Sequence, residues 1–245
     1  MKAPARASYL RRAFELGVQD AVPLEYRDVD LRERPDHPDH RFRLLIEPGA
    51  MVATIGDEDS GVGDLGRYAL GFDRPPSGQA LAFGQAIADL PYTDQLLYRR
   101  RLGYLPVGDG LLQNLTLRSN VSLPLAYASD HRTKVVADRT EELLQLFGIA
   151  DVAELRPAQA NEEDRRRAAV ARAVALDPEL VILEAPFDGL TARSARDLLE
   201  RVRTRSDGTP RAVLVTAQHI MAAIQPRLTR VVQVMDGLAV EGAPA

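Results

Sequence analysis

Apolar and polar residues alternate along Leu24-Glu25-Tyr26-Arg27-Asp28-Val29-Asp30-Leu31, which predicts a half-buried β-strand. A charged connection, RERPDHPDH, leads from it into Phe42-Arg43-Leu44-Leu45-Ile46, and Glu47-Pro48-Gly49 reads as a turn. Met51 to Ile55 is apolar enough for a short buried strand, and Leu65 to Phe72 has helical spacing. Gly78 to Leu90 is small and turn-rich, as an antiparallel edge would be, and Leu102 to Leu105 predicts another short strand. From about residue 113 to 173 apolar positions recur at three and four, clearest through Val135–Phe147 and Ala168–Val174. Leu180 to Leu183 is wholly apolar between Asp177-Pro178 and Pro186. A helix over Ala192–Arg205, a strand over Ala212–Thr216, a short helix over Ile220–Ile224 and a β pair from Val231–Met235 with Val240 follow. The first 20 residues predict a polar lead-in with a helical patch at Tyr9–Leu16.

Buried strands alternating with helices imply an α/β fold. The chain reads as one domain over 1–245. Its core and β subdomain lie at about 20–108 and 175–245, with a helical insert at about 109–174.

Composition narrows the function. A formal net charge of −4 over 245 residues argues against a general nucleic-acid binder. With no cysteine there are no disulfides and no thiolate metal sites. No apolar run approaches the roughly 18 to 20 residues needed to span a bilayer, and the N-terminus lacks a secretory apolar core. A cytoplasmic location is expected. The four histidines, His37, His40, His131 and His219, are scattered, so no metal site is expected. An EF-hand reading of Asp57 and Asp59 fails, because Gly61 and Tyr68 fall where ligands are needed.

The stretch TIGDEDSGVGDLG, Thr54–Gly66, poses the chemical question. Its glycines are spaced as in a phosphate-cradling loop, yet it carries Asp57, Glu58, Asp59 and Asp64 and no basic side chain.

Together these landmarks resemble the nucleotide-binding subunit of an ATP-binding-cassette (ABC) transporter over nearly the whole chain. "LEYRDVDL" looks like the opening strand, and "LLIEPGAMVATIG" is similar to the strand pair that delivers the P-loop. "FDRPPSGQALAFGQAIADL" resembles the β segment after the first helix, and "RRRLGYLPVGDGLLQNLTLRSNVSLPL" the segment holding the glutamine loop. "RRRAAVARAVALDPELVILEAPFDGL" looks like the helix after the signature motif, the Walker B strand and the D-loop, and is the most specific match. The resemblance implies a RecA-like P-loop NTPase core, an antiparallel β subdomain and an α-helical subdomain. It leans toward lipid-trafficking (Mla/Mce-type) and lipoprotein-export cassettes.

The same resemblance implies what each position should do, and most positions depart from it. In the P-loop pattern backbone amides cradle phosphates, a lysine neutralises them and a hydroxyl holds Mg²⁺. Gly56 and Gly61 keep their places, but Val62 stands at the lysine position, Gly63 at the hydroxyl position and Asp64 follows. The only lysines in the chain are Lys2 and Lys134. Two unit charges roughly 6 Å apart repel by about 3 kcal/mol at an effective dielectric near 20, so the carboxylates oppose a triphosphate. The base-stacking aromatic falls on Glu33, with Tyr26 and Tyr9 as the nearest substitutes, and the glutamine position falls on Val107. Walker B keeps a carboxylate, Glu184, the one remnant that would hold a metal. Ala185 replaces the general-base glutamate and cannot accept a proton. Ala217 takes the switch-histidine position, with His219 two residues late. The signature reads Ala160-Asn161-Glu162-Glu163, which would meet a phosphate with like charge. Arg165, Arg166, Arg167 and Arg172 read as a solvated helix face with intersubdomain ion pairs.

The expectation is therefore a catalytically dead pseudo-ATPase with a structural or regulatory role, needing no cofactor. It would dock a transmembrane permease through the Val107–Leu125 region, on the inner face of the membrane, as a homodimer or beside a competent cassette. Two alternatives are a working or slow ATPase using Mg·ATP, with Arg67 in place of the lysine, and a free-standing scaffold or ligand sensor. For the loop itself the expectation is that Asp57, Glu58, Asp59 or Asp64 caps the following helix from within, with Asp64 first.

Overall fold

The computed structural model describes residues 22–31, 41–128, 133–235 and 238–241. The predicted patches at Tyr9–Leu16 and RERPDHPDH, and with them Glu33, His37, His40 and His131, lie outside the described residues.

Two sheets organise the chain. Strands β1 (Leu24–Val29), β2 (Phe42–Ile46) and β4 (Gln79–Ala82) form an antiparallel sheet in the order β2-β1-β4. In β2 burial alternates: Phe42, Leu44 and Ile46 are buried, and Arg43 and Leu45 exposed. The second sheet contains β3 (Met51–Ile55), β5 (Leu102–Leu105), β6 (Leu180–Glu184), β7 (Ala212–Ala217), β8 (Arg230–Met235) and β9 (Leu238–Glu241). Its order is β5-β6-β7-β3-β8-β9, parallel except for β9. All five residues of β6 are buried, as a central strand covered on both faces requires.

Period two sorts the sheet's side chains into two cores. Leu180, Ile182, Ala212 and Leu214 join the cluster under the antiparallel sheet, with Leu24, Tyr26, Phe42 and Leu65. Val181, Leu183, Val213 and Val215 join the cluster formed with the helices, including Leu117, Leu144, Phe147 and Val170. The helices are α1 (Leu65–Ala69), α2 (Tyr92–Arg99), α3 (Leu117–Ala128), α4 (Thr133–Leu146), α5 (Glu162–Ala173) and α6 (Ala192–Arg203). Among the described residues no helix is long and apolar enough to cross a membrane.

Two helix expectations need correction. The helix predicted to Phe72 stops at Ala69, because Gly71 turns the chain at φ 64°. A Cβ there would lie 2.6 Å from the Ala88 amide nitrogen, so that position demands glycine. Ile220–Ile224 is not a helix but an irregular segment and turn running into a 3₁₀ turn at Gln225–Arg227. Pro226 in that turn has no N–H to extend a helical ladder.

Candidate functional site

The glycine loop leaves β3 at the C-terminal edge of the parallel sheet, where the Gly56 N–H donates to the Ala217 carbonyl at 3.1 Å. It makes two 3₁₀ turns, Glu58–Ser60 and Val62–Asp64, joined by Gly61 at φ 81°. Ser60 is 1% exposed, and its side chain points inward. The Ser60 hydroxyl donates to the Asp57 carbonyl at 2.6 Å and accepts the Val62 N–H at 3.2 Å. A Cβ on Gly56 would lie 2.7 Å from Ser60 Cβ and 2.9 Å from Val62 Cγ2. Ser60 and the buried Val62 thus fill the space inside the turn.

This corrects the capping expectation. Asp57 and Asp64, at the cap positions of these turns and of α1, make no side-chain capping bond. Asp64 already has helical backbone, φ −89° and ψ −13°, whereas a side-chain N-cap normally needs an extended residue. Asp57, Glu58, Asp59 and Asp64 are all exposed. The loop is filled by a serine and a valine, not by a carboxylate.

Beside the loop, at the end of β6, Glu184 is buried at 5% exposure. The Tyr104 hydroxyl donates to its Oε1 at 2.8 Å, and the Val107 N–H donates to its Oε2 at 3.1 Å. Burial pushes the Glu184 pKa up from the ordinary carboxylate range, opposed by those two bonds and by the Arg67 charge. Burial also pushes the Tyr104 hydroxyl up, and its bond to Glu184 adds to the rise, so it stays protonated and a donor. The pair packs against α1 at Gly66, where a Cβ would lie 2.6 Å from Glu184 Oε1 and 2.9 Å from Tyr104 Cε2.

The remaining core positions lie around this pair. Ala185 follows with a left-handed backbone, φ 44°, and its N–H donates to the Thr216 carbonyl at 2.7 Å. Val107 gives Glu184 a backbone amide while its side chain is 70% exposed. Ala217 closes β7, and His219 lies beyond the strand end. Arg67, half exposed, is ion-paired with Asp73. Tyr26 is buried, its hydroxyl donating to the Leu65 carbonyl at 2.7 Å, so it offers no free ring to a base.

The signature position is the N-terminus of α5. Asn161 is its N-cap: Oδ1 accepts the Asp164 N–H at 2.8 Å, and Nδ2 donates to Asp164 Oδ2 at 2.7 Å. Glu163 accepts two bonds from Arg167, at 3.0 and 2.8 Å, and Arg167 reaches across to Asp197 of α6 at 2.7 Å. The Glu162 carboxylate lies against Gly189. The arginine expectation divides. Arg167 makes the intersubdomain ion pair, but Arg166 is 7% exposed rather than solvated. Arg166 and Arg172 donate to backbone carbonyls of residues 108–110.

Sequence reasoning missed Ser60, Tyr104 and Gly66. Only Ser60 gave a local signal, as the one hydroxyl side chain between Gly56 and Gly66. Among the described residues no group of three or more His, Asp or Glu is placed to hold a metal ion.

Comparison with known proteins accounts for this arrangement. Residues 40–188 match the family model described as ABC transporter. The chain is 34% identical over 166 residues, 68% of its length, to the sulfate/thiosulfate import ATP-binding protein CysA of Gloeobacter violaceus. It is 31% identical over 233 residues, 94% of its length, to the macrolide export ATP-binding/permease protein MacB of Rhodopseudomonas palustris. The matches span 46% of that CysA and 32% of that MacB, so the chain corresponds to less than half of either relative. Among solved structures, the dimeric ATP-binding cassette MJ0796 in a post-hydrolysis state with ADP and Pi superposes with a TM-score of 0.77. That match has 20% identity and covers 90% of this chain and 98% of the other, which establishes the fold. With its two sheets, its helices and its glycine loop in these places, this chain belongs to the ABC transporter family.

Proposed function

We propose that this chain is a pseudo-ATPase, an ABC cassette that keeps the fold and has lost hydrolysis, acting as a structural or regulatory part of a membrane transport complex. The observation that carries the reading is the loop interior: Ser60 and Val62 occupy it, and Val62 replaces the phosphate-neutralising lysine. Mg·ATP does not fit these residues. No lysine lies between Lys2 and Lys134, and the exposed carboxylates of the loop repel polyphosphate. Arg67, the first basic residue after the loop, is engaged with Asp73. Glu184 has both oxygens bonded within the chain, and Ala185 beside it cannot orient water. The signature residues Asn161 and Glu163 are committed to a helix cap and an ion pair.

In this reading the chain associates with a transmembrane permease on the cytoplasmic side of the membrane. MacB is named as an ATP-binding/permease protein, and MJ0796 as a dimeric cassette. The named relatives serve sulfate/thiosulfate import and macrolide export, and lend no weight to the lipid-trafficking lean. A phosphate-release assay on the purified chain, with and without Glu184→Ala, tests the proposal. The expected result is background release for both proteins. Turnover by the wild type that disappears in Glu184→Ala overturns it and restores the active-ATPase alternative.

A further inference from the structure

The segment from Tyr104 to Thr116 crosses from β5 to α3, and side chains from three directions hold its backbone. From the core, Glu184 accepts the Val107 N–H at 3.1 Å. From α5, Arg166 donates to the Gly108 carbonyl, while Arg172 donates to the carbonyls of Asp109 at 3.1 Å and Gly110 at 2.7 Å. Arg165 lies 3.4 Å from the Asp109 carboxylate. From α3, the fully buried Asn120 accepts the Leu112 N–H at 2.8 Å and donates to the carbonyls of Leu112 at 3.1 Å and Thr116 at 2.9 Å. Inside the loop, Asp109 Oδ1 accepts the Leu111 N–H at 2.9 Å.

The glycines make this approach feasible. Gly108 and Gly110 have φ 86° and 59°, and a Cβ on Gly110 would lie 3.1 Å from Arg172 Nη2. Guanidinium donors are planar and permanently charged, so they hold carbonyls in a defined geometry. Arg166 is also nearly buried, and Asn120 wholly so. Opening the loop would leave both with unmet hydrogen-bonding groups in the interior, which is costly.

We propose that Arg166, Arg172 and Asn120, with Glu184 on the strand-core side, form a clamp that fixes residues 107–112 in one conformation against helices α3 and α5. The clamp is made wholly of this chain's own groups. It stands whether or not the chain binds nucleotide.

Hydrogen exchange followed by mass spectrometry on the full chain, without nucleotide, tests it. In the wild type the Val107, Leu111 and Leu112 amides should exchange at least tenfold more slowly than unstructured peptide. Arg166→Met/Arg172→Met keeps much of the side-chain bulk and removes the donors. It should speed exchange in a peptide covering 105–113 at least tenfold, while peptides over β6 and β7 keep wild-type rates. Should the double variant lose core protection as well, Arg172→Gln alone is judged by the same comparison. A wild-type loop at the unprotected rate overturns the proposal. So does unchanged loop exchange in a variant whose core strands stay protected.

Discussion

Tyr104→Phe is the sharpest perturbation of the site, because it deletes one hydroxyl and leaves the ring. That hydroxyl donates at 2.8 Å to a carboxylate 5% exposed, whose other oxygen accepts the Val107 amide. A hydrogen bond to a charged acceptor contributes about 1.5–3 kcal/mol, so a loss near 2 kcal/mol is expected at pH 7.5. For a chain of this size that lowers the melting temperature by about 4–8 °C. The pH dependence follows from Glu184, whose folded pKa is raised by burial. Its contribution to stability is fully present below the unfolded carboxylate pKa and is lost as pH rises through the folded value. The hydroxyl offsets part of that loss by bonding the ionised form. The difference between wild type and variant should therefore be largest at pH 7.5 and shrink toward pH 4. Urea unfolding across that range, with Glu184→Gln and the double variant, measures it as a cycle. Equal stability of wild type and Tyr104→Phe at pH 7.5 would show that the hydroxyl contributes nothing to holding Glu184. So would a deficit of the same size in the Glu184→Gln background.

Three further substitutions probe contacts at the loop, at α1 and at the start of α5. Gly66→Ala places a methyl 2.6 Å from Glu184 Oε1 and 2.9 Å from Tyr104 Cε2 and should cost about 1–3 kcal/mol in urea unfolding. Ser60→Ala removes a buried bond at 2.6 Å and leaves the Val62 amide without its acceptor, for about 1–2 kcal/mol by the same assay. Asn161→Ala should lose about 1 kcal/mol as a helix cap, with Asn161→Ser retaining most of the stability.

The strands were legible because alternation is local. Phe42, Leu44 and Ile46 announce one buried face, and Leu180–Leu183 announces a strand covered on both. Helix ends were less so, since Gly71 and Pro226 act through a turn and a missing donor that periodicity does not register. At the site, the absences were readable from sequence: Val62, Ala185 and Asn161 stand at motif positions and need no coordinates to be noticed. The replacements were not. Tyr104 meets Glu184 from 80 residues away, and Ser60 turns inward through a loop whose carboxylates suggested a different filling. The arginines of α5 have a helix-surface pattern, and only the packing of residues 108–110 against them shows that Arg166 and Arg172 serve the backbone.

In the proposed pseudo-ATPase the cleft between β3, β6 and β7 is closed to nucleotide by this chain's own residues. Titration of the purified chain with a fluorescent ATP analogue and Mg²⁺ tests it most directly. No saturable signal is expected from micromolar to millimolar nucleotide. Saturable binding with a micromolar Kd, competed by unlabelled ATP, would contradict it.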